Sequence, residues 1–482
     1  MTPQRRPPRP SSGPGGPRRD DRGGRAPRAG RPPADPARHA AYEVLAAVHR
    51  DGAYANLAMP AILRDSGLRG LDAAFATELA YGALRATGTL DAIVGAAAER
   101  EMTRIDPPAR DALRLGAYQL LYTRVPPHAA VSSTVDLVRA VAPGAAGFAN
   151  AVLRQVAEKP LDDWLAALAP AYDTDPVGHL ALVHHHPQWI VRAFADALGG
   201  DLTETAAALA ADNARPPVHL CARPGRISAA DLAADVEGEL GDWCPYTVVL
   251  PGGAPGDLAA VHAGAAHVQD EGSQLVTLAL ADTPLDGPDG AWLDLCAGPG
   301  GKAALLGALA ARRGAHVTAV EVAPHRATLV ESATAGLPVT VLTADGRDTG
   351  LPEGSFDRVL VDAPCTGLGA LRRRPEARWR RAPSDLPPLT RLQRELTAAA
   401  LRLVRPGGVV AYVTCSPHLA ETRATVAEVV RRAGSTVEQL DAHAVLPSGL
   451  TDAGTGLAAQ LWPHRHGTDG MFLALLRRHG GP

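Results

Sequence analysis

The stretch AWLDLCAGPGGKAALL (291–306) decides the fold expected for this chain. A short apolar segment (291–295) leads into a turn with three glycines and one proline, and an Ala/Leu-rich helix is expected to begin near Lys302. Glycines let the backbone approach a ligand closely, and a helix start offers free N–H groups and the positive end of its dipole. A strand, turn and helix of this kind can hold a nucleotide-like ligand. The spacing is neither G-x-G-x-x-G nor G-x-x-x-x-G-K-[ST], and a glycine turn alone also occurs for purely geometric reasons.

The alternation of strand and helix continues beyond this stretch. Apolar segments that end in polar residues predict four further strands, and MFLALLRR (471–478) is expected to be a strand at the edge of the sheet. This alternation predicts a doubly wound parallel sheet, that is, an α/β Rossmann-like domain over residues 266–482. Open sheets of this type bind ligands beyond the carboxyl ends of their strands. The four segments are 316–323, 338–345, 356–365 and 407–416.

Two acidic residues, Glu321 and Asp345, stand at the ends of two of these strands. Glu321 closes the second strand about 20 residues beyond the glycine turn, where an acidic side chain can bind the hydroxyls of a ribose. Asp345 closes the third strand, and its carboxylate is expected to accept a hydrogen bond from an adenine amino group. With the glycine turn, these residues predict an adenosine cofactor, and the absence of G-x-G-x-x-G favours S-adenosylmethionine over NAD.

The five cysteines do not predict a disulfide framework. They are odd in number and lack C-x-x-C spacing, which is typical of reduced thiols in a cytosol and argues against a zinc site. Cys365, in DAPCTGLG, and Cys415, in TCSPH, follow neighbouring strands of the sheet. Such a pair is expected to be either a redox couple or two catalytic thiols. Cys296 is expected to pack in the core and to offer only its backbone to a cofactor.

Charge is distributed unevenly along the chain. Residues 1–38 contain ten arginines and three aspartates, an excess of seven positive charges, so the net charge of −3 leaves ten excess negative charges on residues 39–482. Residues 1–34 are rich in Pro, Arg and Gly and are expected to be disordered. A basic arm on an acidic body fits a nucleic-acid partner and equally a tail that is merely solvated. The sequence contains no run of 18 apolar residues, so no membrane span is expected, and the amino terminus has no apolar signal segment.

Three regions are expected between this arm and the sheet domain. Residues 35–159 show helical spacing of apolar residues and predict an all-α domain of about six helices. Residues 160–214 continue as a helical linker, in which the three histidines of HHHPQWIVRAFADAL (184–198) point about 100° apart and lack partners at ligand spacing, so no metal site is expected. Residues 215–265 predict a small α/β module. The expected helices and strands of these regions are helices 36–50, 71–86, 88–98, 107–122, 130–141, 144–158 and 229–240, and strands 216–224 and 246–250.

An arginine cluster lies between the two cysteine motifs. Arginine suits phosphate binding, and an aromatic side chain suits stacking on a base. The cluster therefore predicts an RNA contact, although a solvated charged loop would have the same composition. Its members are Arg372, Arg373, Arg374, Arg378, Arg380 and Arg381, with Trp379 between them.

Two sets of motifs resemble known families. ELAYGALR (78–85), DALRLGAYQLLYTRVPPHAAVSSTVDLVR (111–139) and GFANAVLRQV (147–156) resemble the NusB-type RNA-binding domain. A second set resembles the RNA cytosine-5 methyltransferases typified by ribosomal RNA small-subunit methyltransferase B and the Sun/NOL proteins. Together the two resemblances extend over nearly all of the chain after residue 35. The second set comprises QDEGSQ (269–274), DLCAGPGGK (294–302), DGR (345–347), DAPCTGLGALRRRPEARW (362–379), TCS (414–416) and HRHGTDGMF (464–472).

The resemblance implies a role for each candidate side chain. Cys415 would be the nucleophile that adds to C6 of the cytosine, and Cys365 would help to release the product. Asp362 would hold the base and favour its protonation at N3, and Lys302 would support the cofactor or the base electrostatically. The residues implied for S-adenosylmethionine are Cys296, Ala297, Gly298, Pro299, Gly300, Gly301, Lys302, Glu321, Arg326, Asp345 and Asp362. Those implied for RNA are Arg372, Arg373, Arg374, Arg378 and Trp379.

The resemblance also implies the organisation and setting of the protein. It implies a NusB-like helical domain, a small RRM-like RNA-binding module and a class I methyltransferase domain, acting as a cytoplasmic monomer without metal or membrane on RNA, first of all small-subunit ribosomal RNA. The same chemistry on transfer RNA stays open, as do a non-catalytic RNA-binding assembly factor and a redox protein. The chain departs from the family's usual Ser at Thr366 and from its usual Asn at Thr422. Neither departure removes a catalytic group.

Overall fold

The helical domain expected at the start of the folded chain is present and has one helix more than predicted. The computed structural model describes residues 35–480, so the predicted disorder of residues 1–34 lies outside the described residues. The first helix is capped by the Asp35 carboxylate, which accepts a hydrogen bond from the Arg38 N–H at 3.0 Å. The additional helix contains Pro60, which interrupts the helical pattern in the sequence. The helices are α1 (Pro36–Asp51), α2 (Ala55–Asp65), α3 (Gly70–Arg85), α4 (Thr87–Ala97), α5 (Pro107–Tyr122), α6 (Pro127–Val141) and α7 (Ala146–Val156).

The linker region forms four helices that bridge the domains on either side. Trp164 packs into the core of the helical domain. The later helices share a core with Leu368, Leu371 and Trp462 of the carboxyl-terminal domain. No helix within residues 35–480 is long and apolar enough to cross a membrane. The four helices are α8 (Leu161–Leu168), α9 (Pro176–Val183), α10 (Gln188–Ala197) and α11 (Leu202–Ala211).

The small module is a four-stranded antiparallel sheet with two helices packed on it. Its strand order, β2-β3-β1-β4, and its chain order are those of a βαββαβ ferredoxin-like unit. The last strand, Ala266–Val268, pairs with the first strand of the module, so the module extends beyond residue 265, where we expected it to end. The helix expected over 229–240 stops early, because its last residues form a strand instead. The elements are β1 (Val218–Ala222), α12 (Ala229–Asp235), β2 (Glu239–Leu240), β3 (Thr247–Leu250), α13 (Ala259–His262) and β4 (Ala266–Val268).

The carboxyl-terminal domain has the α/β architecture that the sequence predicts. Buried strands alternate with helices on both faces of the sheet. The opening strand, the glycine turn and the helix after it occupy the predicted positions. The elements are α14 (Glu271–Asp282), β5 (Ala291–Asp294), α15 (Gly301–Arg313), β6 (His316–Glu321), α16 (Pro324–Ala333), β7 (Val339–Thr343), β8 (Phe356–Asp362), α17 (Ala377–Arg380), α18 (Leu386–Leu403), β9 (Val404–Thr414), α19 (Arg423–Ala433), β10 (Val437–Leu440), β11 (Ala459–Gln460), α20 (Pro463–His466) and β12 (Phe472–Arg478).

The sheet is mixed rather than wholly parallel. Its order is β10-β12-β9-β8-β5-β6-β7, and β11 pairs with β12 beside this path. Strands β5 to β9 are parallel, whereas β12 lies antiparallel between β9 and β10. The prediction that residues 471–478 form an edge strand is therefore wrong. The strand is apolar enough to be buried on both faces, and β10 covers its outer side.

Candidate active site

The candidate site lies where the parallel strands end. The order of the strands reverses between β5 and β8, because the chain runs outward from β5 through β6 and β7 and then returns to the other side of β5. Doubly wound sheets bind ligands at this point. The glycine turn follows β5, and Asp362 closes β8 directly beside it. Cys415 follows β9, the next strand along.

The glycine turn approaches its neighbours so closely that side chains do not fit. A Cβ on Gly298 would lie 2.2 Å from Glu321 Oε2. Gly300 has φ +118°, and a Cβ there would lie 2.6 Å from the Cβ of Ala333. Helix α15 begins at Gly301, so its first free N–H groups face the same turn. The turn is a cradle that a ligand can approach along its backbone.

Glu321 and Arg326 hold this turn in place. The buried Glu321 carboxylate accepts hydrogen bonds from Gly298 N–H at 3.1 Å and from Ala323 N–H at 2.9 Å. Arg326 Nη2 donates to the Gly298 carbonyl oxygen at 2.6 Å. A carboxylate has about four acceptor positions, so Glu321 keeps capacity for further donors such as ribose hydroxyls.

Asp345 and Asp294 are carboxylates of opposite character at this edge. Asp345 is half-buried, and the hydrogen bond from Arg347, at 2.6 Å from Nη2, lowers its pKa. An adenine amino group would therefore share Asp345 with Arg347. Asp294 was not predicted as a site residue, yet it is fully buried, and its Oδ2 has no partner among residues 35–480. Burial first, and then the charge of Asp362, raises the pKa of Asp294 to about 7.

The residues at this edge fit S-adenosylmethionine. The glycine turn admits a flat adenosine, and the acidic side chains offer acceptors for its hydroxyls and for the ammonium of its amino-acid part. Asp294 Oδ2 is a buried acceptor without a hydrogen-bond partner among residues 35–480, so a donor of the ligand could bind to it. The Ala297 N–H donates to Val320 O at 2.9 Å, and burial raises the pKa of the Cys296 thiol far above its usual value, so a backbone contact of these two residues with a cofactor stays a prediction.

Lys302 and Asp362 form an ion pair between the cofactor turn and the cysteines. Lys302 Nζ lies 2.8 Å from Asp362 Oδ2. Burial acts to lower the pKa of the ammonium, but the Asp362 carboxylate outweighs it and raises the pKa above the usual value. Lys302 is therefore a permanent positive charge at the site.

Cys365 and Cys415 meet at the ends of β8 and β9. Their sulfur atoms are 3.5 Å apart, and both thiols are free. The hydrogen bond from Cys365 lowers the pKa of Cys415, and the charges of Lys302 and Arg374 lower it further. The same hydrogen bond, together with burial, raises the pKa of Cys365 well above its usual value. Of the two thiols, Cys415 therefore has the lower pKa and is the easier one to deprotonate.

Glu421 ties together the two loops that carry these cysteines, although the sequence did not identify it as a site residue. Its carboxylate is fully buried. It accepts hydrogen bonds from Thr366 N–H at 2.8 Å, from the Thr366 hydroxyl and from Ser416 Oγ at 2.7 Å. Gln393 Nε2 donates to it at 3.1 Å. Its signal in the sequence was an acidic residue six positions after Cys415.

The arginine cluster does not present the RNA-binding surface that the sequence predicts. Arg372 is buried and pairs with Asp469 at 2.7 Å, and Arg373 pairs with Asp270 at the same distance. These two guanidiniums are occupied by buried carboxylates of the protein. An RNA contact is therefore wrong for them. The partners lie about a hundred residues away in sequence, so the pairing could not be read from the local composition.

Arg378 and Trp379 are also interior residues. Arg378 is completely buried and donates hydrogen bonds to His185 O at 3.0 Å and Asn213 Oδ1 at 2.8 Å, and burial lowers its pKa to about 9. Trp379 Nε1 donates to Leu84 O at 2.9 Å. The predicted RNA contact is therefore wrong for the fully buried Arg378, whereas for the half-buried Trp379 it stays a prediction. The histidine triplet contributes to the buried pocket, or socket, of Arg378 through the His185 carbonyl oxygen. Within residues 35–480 no group of His, Cys, Asp and Glu is arranged to hold a metal ion.

Two known families match two separate parts of this chain. The family described as 16S rRNA methyltransferase RsmB/F matches residues 282–477, and the NusB family matches residues 35–158. A Mycobacterium tuberculosis (strain ATCC 25618 / H37Rv) protein named "Putative methyltransferase Rv1407" is 58% identical over 447 residues, which are 92% of this chain and 97% of that protein. "Ribosomal RNA small subunit methyltransferase B" of Yersinia enterocolitica is 32% identical over 421 residues, 84% of this chain and 90% of the relative.

A solved structure resembles this chain over most of its length. The crystal structure of PH0851 matches it with a TM-score of 0.77 and 21% sequence identity, covering 92% of this chain and 99% of that one. At this identity the match supports the fold alone. It includes the helical region as well as the sheet domain.

Proposed function

Because the chain belongs to the 16S rRNA methyltransferase RsmB/F family, and is thus an RNA methyltransferase that uses S-adenosylmethionine, we propose that it methylates C5 of a cytosine in small-subunit ribosomal RNA. The observation that carries the proposal is the pair of free thiols, Cys365 and Cys415, 3.5 Å apart beside the ion pair of Lys302 and Asp362. An enzyme that methylates a nitrogen or an oxygen of RNA has no need of two thiols.

The proposed chemistry begins with the thiolate. C5 of cytosine is a poor nucleophile, and a thiolate that bonds to C6 makes C5 enamine-like. The electron pair of the C5–C6 double bond then forms the new bond from C5 to the methyl group. S-adenosylmethionine supplies that methyl as an electrophilic sulfonium substituent. Cys415 is suited to the first step because its pKa is lowered by the hydrogen bond from Cys365.

Release of the product requires two bonds to break. The proton on C5 must pass to a base, either solvent water or Cys365 after it has lost its own proton. The electron pair of that C–H bond restores the double bond, and the bond from C6 to Cys415 breaks with its electrons going to the sulfur. Cys365 lies within contact of the sulfur that departs, so it is placed to assist this elimination. Asp362, held by Lys302 through one oxygen, would bind the edge of the base and favour its protonation at N3.

The target base must leave its stack before a thiol can reach C6. The edge of a base pair inside a duplex does not present C6 to a protein side chain, so a loop or another single-stranded segment is the expected substrate. Ribosomal RNA offers such segments, and so does transfer RNA. The choice between them rests on relatives whose names specify ribosomal RNA.

The test uses the purified full chain, labelled methyl donor and unmodified transcripts of small-subunit ribosomal RNA and transfer RNA. Wild type should label C5 of one cytosine in the ribosomal transcript. Cys415→Ala should transfer no methyl, and Cys365→Ala should accumulate a covalent RNA–protein adduct. Cys221→Ala, a buried thiol of the small module, is the matched control and should behave as wild type.

Each other result selects a different function. Methyl transfer by Cys415→Ala would contradict the assignment of the nucleophile. Labelling of transfer RNA alone would replace the proposed substrate. RNA binding without methyl transfer to either transcript would favour the assembly factor, and a reversible disulfide between the two thiols that controls RNA binding would favour the redox protein.

A further inference from the structure

We propose that Tyr54 and Arg374 form a composite binding site for the phosphate of the RNA nucleotide next to the target base. One residue comes from the helical domain and the other from the catalytic domain. The inference rests on the proposed function, because it needs a single RNA strand whose target base is bound at Cys415. It assigns the helical domain a part in the active site itself, in addition to any contact that it makes with RNA elsewhere.

Arg374 differs from its neighbours in the arginine cluster. Arg372 and Arg373 are held by Asp270 and Asp469, and Arg378 is buried in its socket. Arg374 is exposed, and its guanidinium makes no ion pair with any residue of the described chain, 35–480. A guanidinium without a carboxylate partner keeps its full capacity to bind a phosphate bidentately. The cluster is thus reduced to one free arginine near the site.

Tyr54 lies against this free arginine from across the domain boundary. The guanidinium carbon of Arg374 is 5.7 Å from the centre of the Tyr54 ring, and that of Arg380 is 5.3 Å from it. The ring is 44% exposed, which is unusual for a large aromatic side chain at a domain interface. Arg380 is fixed by a hydrogen bond from Nη2 to Val48 O at 2.9 Å. Of the two guanidiniums at the ring, Arg374 is the one left for a ligand.

The position of the Tyr54 ring is fixed by a short segment that the catalytic domain inserts into the helical domain. Glu376 is buried, and its Oε1 accepts a hydrogen bond from Ala55 N–H at 3.2 Å, directly after Tyr54. The Trp379 ring fills the space next to Gly88, where a Cβ would lie 2.4 Å from the ring. These two anchors, both just after Arg374 in the chain, hold the segment that carries Arg374 against the segment that carries Tyr54.

The composite site is close to the reacting thiol. Arg374 is near enough to Cys415 for its charge to contribute to the lowered pKa of that thiol, after the larger contribution of the hydrogen bond from Cys365. A strand whose base reaches Cys415 therefore carries its adjacent phosphates past Arg374. Arginine beside an exposed aromatic ring is the usual chemistry for gripping a single strand through its backbone and an unstacked base.

The competing interpretation is that the contact between Tyr54 and Arg374 only joins the two domains. Salt dependence separates the two interpretations. Each phosphate neutralised by a protein cation releases counterions, so log(kcat/KM) falls as log[salt] rises. The loss of one contact makes this negative slope shallower by about 0.7 for a single strand. A contact internal to the protein leaves that slope unchanged.

The experiment measures kcat/KM for methyl transfer to the unmodified small-subunit transcript between low and moderate KCl concentration. Arg374→Gln should raise KM roughly tenfold, the loss expected for one charge-assisted hydrogen-bonded contact, and make the salt dependence less steep by about 0.7. Arg431→Gln is the matched control, because Arg431 is an exposed arginine near the end of α19 that forms an ion pair with Glu428 of the same helix.

Tyr54 is tested as the residue that positions Arg374. Tyr54→Leu should raise KM about two- to fivefold, the range expected for an exposed contact between a cation and a ring. Tyr54→Phe should restore the wild-type value, because it keeps the ring. In the Arg374→Gln background Tyr54→Leu should add little, since the two residues act through one contact.

An unchanged KM and salt slope in Arg374→Gln, equal to those of Arg431→Gln, would overturn the composite site and leave the proposed function intact. Absence of methyl transfer by wild type would instead contradict the proposed function. In that case the dissociation constant of the same transcript, measured at the same salt concentrations, replaces kcat/KM. A slope difference between Arg374→Gln and Arg431→Gln would still support the site, and equal slopes would overturn it.

Discussion

Replacing Glu421 should allow the loop that carries Cys365 and the loop that carries Cys415 to move apart. Its fully buried carboxylate binds Thr366, one residue after Cys365, and Ser416, one residue after Cys415. In Glu421→Ala the hydroxyls of these two residues can turn to other acceptors. The Thr366 N–H and the Gln393 amide cannot, because backbone and helix fix their directions.

The magnitude follows from the stranded donors. A buried donor left without a partner costs about 1–3 kcal/mol, so two of them destabilise the catalytic domain by roughly 2–6 kcal/mol. The loops then lose the registry that keeps the sulfur atoms 3.5 Å apart, and a displacement on the order of 1 Å lowers kcat about a hundredfold. Glu421→Gln keeps an acceptor for the Thr366 N–H, and its new N–H₂ can donate to the hydroxyls, so it should recover most of the stability.

The assay combines urea denaturation, followed by tryptophan fluorescence, with kcat for methyl transfer at saturating RNA. Glu428→Ala is the control, since Glu428 lies on the surface of α19 and pairs only with exposed Arg431 and Arg432 among the described residues. The reasoning is refuted if Glu421→Ala unfolds at the same urea concentration as Glu428→Ala. It is also refuted if Glu421→Ala is destabilised yet turns over at the wild-type rate.

Three further outcomes follow from the site. Lys302→Gln should move the acid limb of the pH–rate profile to higher pH, because the ammonium lowers the pKa of Cys415. Gly300→Ala should weaken S-adenosylmethionine binding roughly tenfold by calorimetry, since φ is +118° and its Cβ would lie 2.6 Å from another, whereas Gly290→Ala, with open space, should not. Burial raises the pKa of the Asp212 carboxyl from 3.8 to about 7. The stability that this carboxyl contributes to the folded state is therefore complete below pH 4 and is lost as the pH rises through 7. In thermal unfolding, Asp212→Asn should be more stable than wild type at pH 8 and equal to it near pH 4.

The parts of the site that were predictable from the sequence are those set by local pattern. The glycine turn, Glu321 and the two cysteines each follow a buried strand, and parallel strands bring their carboxyl ends to one edge. Position at a strand end therefore suffices to place them together. The meeting of Cys365 and Cys415 needed only the inference that β8 and β9 are neighbours.

The parts that were not predictable depend on partners distant in sequence. Arg372 resembles a solvent-exposed charge until Asp469, 97 residues later, is known to face it. The insertion of β12 between β9 and β10 is likewise a pairing that no local period encodes. Asp294 is read as the polar end of a strand, and nothing in its neighbourhood reveals that one carboxylate oxygen is buried without a partner.

The choice of a lysine at position 302 follows from the same electrostatics. The chain contains two lysines among 48 positively charged Lys and Arg residues, so its usual cation is arginine. Lys302 is a compact point charge that needs one close acceptor, and Asp362 Oδ2 provides it at 2.8 Å. An arginine would bring five N–H donors in a rigid fork to a largely buried position, and would engage both oxygens of Asp362.

Lysine leaves the second oxygen of Asp362 with no hydrogen bond from any residue between 35 and 480, and thus available to a base. The Asp362 carboxylate alone would raise the pKa of Cys415. The Lys302 ammonium acts in the opposite direction and lowers that pKa. In the proposed mechanism, this one side chain keeps an oxygen of Asp362 free for the base and lowers the pKa of Cys415, which a bidentate cation could not do at once.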